Sequence, residues 1–251
     1  MNKPINNKIA LEPKKVPAYV EAITKSGGEI SQLADDVHAL IWTDYSNPQA
    51  LAETLKQNPQ LQWVQLPFAG VDAFSDLLSH PVIFTSAKRS YSEPVAEHAL
   101  ALMLAMARVI PERVRAMSWG RQFADTLFDE DVLIVGGGGI AVQLRQLLVP
   151  FRSKVSVVRK RPDQDFLEGF EGKVVGFDQF DDELAKAKYV VLACALTDET
   201  RFPFNSKRFD AMRSDSYLVN VARGEVIDQK ALVQFQWTDQ PLLPLKSHQT
   251  K

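Results

Sequence analysis

The chain has 251 residues, of which 45% are hydrophobic and 24% are charged, and its formal net charge at pH 7 is −2. These proportions are typical of globular proteins and exclude collagen-like, low-complexity and disulfide-rich classes. Because acidic and basic residues nearly balance, we expect no nucleic-acid partner and no attachment to an anionic membrane.

Apolar strand-like runs alternate with amphipathic segments, which is typical of α/β proteins with parallel sheets. The first part of the chain predicts four short strands, at 8–12, 37–42, 63–66 and 82–86. The helices predicted between them lie at 15–26, at 48–57 and, as a short one, around 71–79. These elements predict one small domain.

A long helix is expected to start at Ser92, with Glu93 and Pro94 in its first turn, and to end near Arg108. Later strands are predicted at 131–136, 154–158, 173–177, 189–193 and 217–221. Helices are predicted at 139–149 and near 181–187 and 205–213. The length fits two compact units, so we predict one domain over 1–93 and a second from residue 94.

The most specific local motif is the glycine run at 136–139. It fits G-x-G-x-x-G/A with Gly136, Gly138 and Ala141, directly after a predicted strand and at the start of a helix that opens with Gly139 and Ile140. The glycines permit a tight turn and close approach of a pyrophosphate, and the helix N-terminus attracts that anion. A flexible turn without ligand is the alternative, but the strand and helix on either side favour dinucleotide binding.

Cofactor choice is read at the end of the next strand, where an NAD-preferring site places an acid that holds the ribose. Here Arg159, Lys160 and Arg161 follow the strand, and the first acid is Asp163. Cationic side chains suit a 2′-phosphate, so NADP(H) is favoured over NAD(H). A solvated basic strand end is the alternative interpretation.

Four further segments appear in order: L-P-F-A-G-V-D at 66–72, E-P-V-A-E-H-A-L at 93–100, A-C-A-L-T-D-E-T at 193–200 and V-N-V-A-R-G at 219–224. Together with the glycine motif, they resemble the D-isomer-specific 2-hydroxyacid dehydrogenases, a family that includes glyoxylate/hydroxypyruvate reductases and phosphoglycerate dehydrogenases. The resemblance covers about residues 60–234. One departure is Ala195, which stands where the family usually has proline.

The resemblance implies a flavodoxin-like substrate domain over 1–93 and a Rossmann-type doubly wound parallel sheet over 94–234. It also implies NAD(P)-dependent hydride transfer between a nicotinamide cofactor and a small 2-oxo or 2-hydroxy acid. The family commonly dimerises near the long helix, which here carries an apolar stripe, so a homodimer is implied. That stripe consists of Leu100, Met103, Leu104 and Ala107.

Residue by residue, the resemblance assigns the substrate carboxylate to backbone amides of Ala69, Gly70 and Val71. Arg223 corresponds to the active-site arginine, whose guanidinium can hold the carboxylate and carbonyl oxygen of a 2-oxo acid. The remaining residues implied in cofactor binding lie at or just after the ends of the last two predicted strands: Cys194, Ala195, Thr200, Val221 and Ala222, with Arg223 beside them. Glu97 and His98 are adjacent on a helix and point in different directions, so we interpret His98 as structural.

The family pattern stops after Gln234, and residues 235–251 form a divergent tail. The E-P and T-P-H segments that carry the family's catalytic Glu and His have no match, and His248 stands in no such segment. We therefore expect a C-terminally truncated chain whose Rossmann sheet lacks its last strands. Without a general acid the rate falls about 10²–10⁴-fold. An inactive remnant that at most binds dinucleotide, or a partner subunit that supplies the missing groups, are the alternatives.

Cys194 is the one cysteine, so neither an internal disulfide nor a multi-cysteine metal site is expected. The N-terminus has lysines but no apolar core of a secretory signal. The longest uninterrupted apolar run, Ala99 to Ala107, is far shorter than the roughly 20 residues that cross a bilayer. A cytoplasmic protein without metal is therefore expected.

Overall fold

The computed structural model describes residues 7–120, 123–163, 172–197, 200–201 and 203–237. The chain divides into two compact units, residues 1–91 and 92–251. Each unit is built on a five-stranded sheet, and every strand pairing in both sheets is parallel. The α/β fold class predicted from the alternating pattern is confirmed.

The first unit has five strands, two α-helices and one 3-10 helix. In chain order these are β1 (Lys8–Glu12), α1 (Pro17–Lys25), β2 (Glu29–Ser31), β3 (Ala39–Trp42), α2 (Pro48–Gln57), β4 (Trp63–Gln65), the 3-10 helix Asp72–Leu77 and β5 (Ile83–Thr85). The strand order β2-β1-β3-β4-β5 is the flavodoxin-like order that the resemblance implies. Its core gathers apolar side chains such as Leu40, Trp42, Leu51 and Val64.

Two elements of this unit differ from the sequence prediction. The prediction of four strands was wrong, because Glu29–Ser31 forms a fifth strand at the sheet edge, paired with β1. Its two polar residues and short length give no apolar run, and it is defined by its pairing with β1. The short helix expected around 71–79 is the 3-10 helix over Asp72–Leu77.

The second unit contains five strands and six α-helices among its described residues. In chain order these are α3 (Ser92–Ala107), α4 (Ile110–Arg115), β6 (Asp131–Val135), α5 (Gly139–Leu148), β7 (Lys154–Val158), β8 (Lys173–Val175), α6 (Phe180–Leu184), β9 (Tyr189–Leu192), α7 (Ser206–Ala211), β10 (Tyr217–Asn220) and α8 (Gln229–Trp237). The order β8-β7-β6-β9-β10 is the Rossmann order as far as its fifth strand. The described sheet therefore confirms the predicted Rossmann type.

This second sheet is buried on both faces. Successive residues of β6 alternate between two core clusters, with Leu133 in one and Ile134 in the other, because strand side chains point to opposite faces in turn. Side chains of α6, α7 and α8 complete the first cluster, and side chains of α3 and α5 complete the second. Such two-sided cover is the doubly wound arrangement.

Near the C-terminus, α8 continues past the predicted end of the family pattern at residue 234. The ring of Phe235 stacks on Phe209 with their centroids 5.1 Å apart, so the first part of the predicted tail belongs to the packed helix. His248 and the rest of the tail after Trp237 lie outside the described residues.

The connection after the long helix also differs from expectation, since it contains α4. On α3, Met103 and Ala107 are fully buried in the core of the unit, so they do not form a free dimer surface. Leu100 and Leu104 are partly buried against the same cluster. Among the described residues, no helix combines the length and apolar character needed to cross a membrane.

Candidate functional site

The carboxyl ends of four strands in the second sheet lie in register. Val135 pairs with Val158 on one side and with Leu192 on the other, and Leu192 pairs with Asn220. Because all four strands are parallel, the residues that follow them leave the sheet at one level: Gly136, Arg159, Ala193 and Val221. Ligands of open α/β sheets bind at this edge, near the strand where the order reverses, which here is β6.

Gly136 occupies a position where only glycine fits. Its φ angle is +112°, and its N–H donates to the Val158 carbonyl at 2.8 Å. A Cβ atom at Gly136 would lie 2.6 Å from the Cys194 Cα and 2.7 Å from the Cys194 nitrogen. The first glycine of the motif therefore allows β6 and the loop after β9 to come into backbone contact.

The other positions of the glycine motif form an open helix N-terminus. Gly138 is the N-cap of α5, no side chain caps this helix, and a Cβ at Gly138 would meet no atom within 4 Å. The first amides of the helix, at Gly139 and Ile140, have no intrahelical acceptor. Ala141 is fully buried against the core. This arrangement suits a pyrophosphate, because backbone donors and the helix dipole favour an anion there.

The predicted basic segment follows β7 at the same edge. The Arg159 N–H donates to the Val175 carbonyl at 3.0 Å, which fixes the backbone where the segment begins. Arg159 is half-buried, whereas Lys160 and Arg161 are exposed, and Asp163 is exposed further along. The segment thus provides three cationic side chains before the first carboxylate.

The loop after β9 is organised by the hydroxyl of Thr200, a side chain that is 8% exposed. The hydroxyl donates to the Ala195 carbonyl at 2.6 Å and accepts the Thr197 N–H at 2.7 Å. The Thr197 hydroxyl lies 3.1 Å away and can fill the second acceptor position. A hydroxyl has one donor and two acceptor positions, so these contacts saturate it. Asp198 and Glu199, from the same motif, lie outside the described residues.

Cys194 lies in the same loop and is half-buried. Burial raises the pKa of its thiol, which keeps the sulfur protonated at neutral pH. The residue therefore packs beside Gly136 and has none of the features of an activated nucleophile.

Arg223 follows β10 in a turn held by Asn220. The Asn220 side chain accepts the Ala222 N–H at 2.9 Å and donates to the Arg223 carbonyl at 2.9 Å. The Val221 N–H donates to the Leu192 carbonyl at 3.0 Å, which ties the turn to the neighbouring strand. The Arg223 side chain is exposed, and its Nη1 donates to the Ala222 carbonyl at 3.1 Å. Asn220 was not among the site residues predicted from the sequence, although Asn is a residue type known for turns of this kind.

In the first unit, the loop after β4 is fixed at both ends. The Leu66 N–H donates to the Thr85 carbonyl at 2.8 Å, and the Phe68 carbonyl accepts the Ala87 N–H at 3.1 Å. Within the described part of the chain, no carbonyl or side chain accepts a hydrogen bond from the backbone N–H groups of the next three residues: Ala69, Gly70 and Val71. This loop therefore offers unused backbone donors, as an anion site requires.

The remaining candidates do not assemble into a site. Glu97 and His98 are both exposed on α3. His38 contacts the Gln60 carbonyl at 3.0 Å through its Nδ1 atom. No cluster of three His, Cys, Asp or Glu side chains suited to a metal ion exists among the residues that the structure describes.

Comparison with known families gives a direct match. The model for "D-isomer specific 2-hydroxyacid dehydrogenase, NAD binding domain" matches residues 100–237, which is more than half of the chain. The chain belongs to this family. The family resemblance predicted from the ordered motifs is confirmed, and the match ends at the last described residue of α8.

Curated relatives carry the name glyoxylate/hydroxypyruvate reductase B. The protein from Enterobacter sp. (strain 638) is 26% identical over 235 residues, which are 89% of this chain and 67% of the relative. The protein from Escherichia coli (strain K12) is 28% identical over 199 residues, which are 75% of this chain and 60% of the relative. The chain thus spans about two thirds or less of these relatives' length.

Solved structures support the fold. A D-isomer specific 2-hydroxyacid dehydrogenase family protein from Aeromonas salmonicida aligns with a TM-score of 0.78 at 22% identity, over 93% of this chain and 78% of that chain. A dehydrogenase of the same description from Xanthobacter autotrophicus Py2, in complex with NADPH and MES, aligns with a TM-score of 0.74 at 22% identity, over 90% and 76% of the two chains. D-Lactate dehydrogenase from Aquifex aeolicus, in complex with NAD and lactic acid, aligns with a TM-score of 0.70 at 22% identity, over 93% of this chain and 74% of that chain.

Proposed function

We propose that this chain binds a nicotinamide dinucleotide at the carboxyl edge of its second sheet and transfers a hydride between it and a small 2-oxo or 2-hydroxy acid. The observation that carries this proposal is the in-register edge, where the glycine motif, the basic segment, the loop after β9 and the Arg223 turn follow neighbouring strands. When bound, the dinucleotide would supply or accept the hydride. Binding, orientation and charge stabilisation fall to the residues of this chain.

The glycine motif and the start of α5 would hold the pyrophosphate. Gly136 and Gly138 keep side chains away from the turn, and the amides of Gly139 and Ile140 face the anion without an intrahelical acceptor. The turn after β10, with Val221 and Ala222, and the loop with Cys194 and Ala195 would line the same ligand. Thr200 would act through that loop, since its hydroxyl is saturated by loop partners.

We further propose that NADP(H) is preferred over NAD(H). The three cations Arg159, Lys160 and Arg161 follow the strand whose end normally contacts the adenosine ribose, and a guanidinium binds a phosphate through two parallel hydrogen bonds. A fluorescence titration of the whole chain with NADPH and NADH tests this directly. Tighter binding of NADPH that is lost in Arg159→Asp supports the preference, and equal affinity for both cofactors overturns it.

Arg223 would bind the substrate through its guanidinium. A fixed guanidinium can pair with the carboxylate and polarise the carbonyl oxygen on which negative charge develops during hydride transfer. For the first unit, we propose that the amides of Ala69, Gly70 and Val71, whose N–H groups have no acceptor within the described chain, bind a substrate carboxylate. Both features suit a small anionic 2-oxo acid.

The deciding experiment is a turnover screen of the whole chain with glyoxylate, hydroxypyruvate and phenylpyruvate, in which the consumption of NADPH is measured. Arg223→Ala should reduce kcat/KM by about 10²-fold or more, and Arg223→Lys should recover only part of it, because lysine lacks the planar fork. Lys230→Ala, which removes an exposed cation from α8, is the control. A turnover rate that Arg223→Ala leaves unchanged would refute the assignment.

A second candidate function is dinucleotide binding without turnover. In the described part of the second unit, His98 is the one histidine, and it is exposed on α3 instead of following a strand at the carboxyl edge. General acid catalysis in such a reduction most often uses histidine. Saturable NADPH binding together with a rate equal to that of Arg223→Ala would favour this second function.

We also propose that the chain forms a homodimer through α4 and the segment after it. Five large apolar side chains there are exposed, led by Met117 at 100% and Trp119 at 89%. The set also includes Ile110, Val114 and Phe123. Several exposed large apolar side chains within a short stretch of chain favour a protein interface. Light scattering should give a dimer mass that Trp119→Asp converts to a monomer mass, whereas the exposed control Val149→Asp should leave it unchanged.

A further inference from the structure

Two exposed aromatic side chains of the first unit are in contact. The rings of Tyr45 and Phe68 have their centroids 5.2 Å apart and are tilted by 48°. Tyr45 is 60% exposed and Phe68 is 45% exposed. Scattered exposed aromatic residues are common on protein surfaces, but here two of them contact each other and both remain partly open to solvent.

The sheet topology explains why these residues meet. β3 and β4 are neighbours, with Ile41 paired to Gln65, and the two aromatic residues follow shortly after the ends of these strands. Parallel strands bring their carboxyl ends to the same edge of a sheet, so both rings lie beyond that edge.

Hydrogen bonds fix the backbone on either side of the pair. The Asp44 side chain accepts the Ser46 N–H at 2.9 Å and the Ser46 hydroxyl at 2.7 Å, which closes a tight turn around Tyr45. The Phe68 carbonyl accepts the Ala87 N–H at 3.1 Å. The ring pair is therefore carried by ordered turns, and it is available without a rearrangement of the loops.

The pair adjoins the proposed substrate-carboxylate amides. Phe68 directly precedes Ala69, and consecutive Cα atoms lie about 3.8 Å apart, so Val71 is within roughly 11 Å of Phe68 along the chain. A ring side chain reaches about half of that distance. The substituent of a 2-oxo acid held by its carboxylate on these amides can therefore contact the ring pair.

We propose that Tyr45 and Phe68 form an aromatic wall of the substrate site that selects 2-oxo acids with an aromatic substituent over the small aldehyde acid glyoxylate. This inference rests on the proposed function and names its substrate class. An aromatic ring packs favourably on two tilted rings through offset and edge contacts, whereas glyoxylate has no substituent to place there. The competing interpretation is that the pair only holds two loops together.

The experiment measures binding, so that it does not depend on turnover. Isothermal titration of the NADPH-loaded chain compares phenylpyruvate with glyoxylate. We expect Phe68→Ala and Tyr45→Ala each to weaken phenylpyruvate binding by about tenfold and to leave glyoxylate binding nearly unchanged, since one aromatic contact is removed in each. Phe68→Leu keeps an apolar side chain at the loop and should give an intermediate loss.

Tyr19→Ala removes an exposed tyrosine from α1 and is the matched control, with no expected change for either acid. A wild-type chain that binds phenylpyruvate no more tightly than glyoxylate overturns the proposal. An equal loss for both acids also overturns it, because a structural contact between loops would act on every substrate alike. Thermal unfolding of each variant shows whether the loops still fold.

The outcomes separate this inference from the proposed function. A preference for phenylpyruvate that depends on the two rings, without NADPH consumption, supports the aromatic wall and overturns hydride transfer. NADPH-dependent reduction of glyoxylate with no binding preference for phenylpyruvate overturns the aromatic wall and leaves the proposed function intact.

Discussion

Gly136 packs directly against the backbone of Cys194, and an ideal Cβ on the glycine would lie 2.6 Å from the Cys194 Cα. The glycine also has a φ of +112°, which a residue with a side chain rarely adopts. The strands β6 and β9 are neighbours in the sheet. The backbones that follow them can therefore come into contact only because residue 136 has no side chain.

Gly136→Ala should destabilise the second unit and abolish dinucleotide binding. Backbone strain of about 1–3 kcal/mol adds to an overpacking cost of about 1–3 kcal/mol, because the atoms that the new methyl group meets are backbone atoms. Urea unfolding monitored by circular dichroism, together with an NADPH titration, measures both effects. An unfolding midpoint equal to that of the wild-type chain would contradict this account.

Gly138→Ala is the matched control for that variant. Gly138 has a φ of −98°, and a Cβ there meets no atom within 4 Å, so the cost in folding free energy should stay below about 1 kcal/mol. The methyl group would nevertheless occupy space where a pyrophosphate approaches the helix N-terminus. We expect near-normal unfolding with weakened NADPH binding, and unchanged NADPH affinity would argue against this position of the site.

Thr200 should act as a positioning residue for the loop after β9. Thr200→Val keeps the shape of the buried side chain but removes the partner of the Ala195 carbonyl and the Thr197 N–H. Each hydrogen bond lost costs about 0.5–1.5 kcal/mol, and we expect weaker NADPH binding with a smaller change in the KM for the 2-oxo acid. Thr200→Ser keeps the hydroxyl and should restore cofactor affinity. If Val and Ser behave alike, the hydroxyl is not the feature that matters.

Asn220 should control the orientation of Arg223. Asn220→Ala removes both hydrogen bonds of the turn, whereas Asn220→Asp keeps the acceptor for the Ala222 N–H and loses the donor to the Arg223 carbonyl. We expect kcat to fall in both variants, more strongly in Asn220→Ala than in Asn220→Asp, and we expect both variants to retain most of their affinity for NADPH. Measurement of kcat and KM beside NADPH titrations tests this order. Loss of cofactor binding alone would assign Asn220 to the cofactor instead.

Glu183 gives the second unit a specific sensitivity to acid. Burial alone would raise the pKa of this carboxyl, but hydrogen bonds from Lys173, Ser156 and Lys186 outweigh it and lower the pKa from 4.5 to about 2. A group with a lowered pKa in the folded state stabilises the protein fully above its unfolded pKa. That stabilisation is lost as the pH falls from about 4.5 towards 2.

Urea unfolding between pH 7 and pH 3, for the wild-type chain and Glu183→Gln, isolates this contribution from that of other carboxyls. At neutral pH the free energy of unfolding of the wild-type chain should exceed that of Glu183→Gln by about 1–3 kcal/mol, a modest difference because both lysine partners are largely exposed and screened. The difference should shrink below pH 4.5. A difference between the two proteins that stays constant with pH would exclude this linkage.

The sequence was sufficient where a single segment carries its own pattern. The β-branched run before Gly136 predicted β6, and the glycines after it predicted the start of α5, because hydrophobic period and turn chemistry are local properties. The ordered motifs predicted the family. Glu29–Ser31 gave no such signal, because three residues with two polar side chains become a strand only when β1 pairs with them.

The contacts within the candidate site could not be predicted from the sequence. The sequence placed Thr200 among the residues of the cofactor site but did not indicate that its hydroxyl bonds Ala195 and Thr197, and it assigned no role to Asn220. The contact between Tyr45 and Phe68 joins residues from two different loops. Such roles depend on distances across the fold, which neither periodicity nor motif spacing contains.

The common level at which the strands of the second sheet end has an evolutionary consequence. Each loop at that edge follows a different strand, and the strands are held together by backbone pairing that is independent of the loop sequences. With the proposed site assignments, a substitution after β7 would alter the preferred dinucleotide while the turn after β10 stays as it is, and the reverse would also hold. Cofactor preference and substrate chemistry can diverge separately on this one frame.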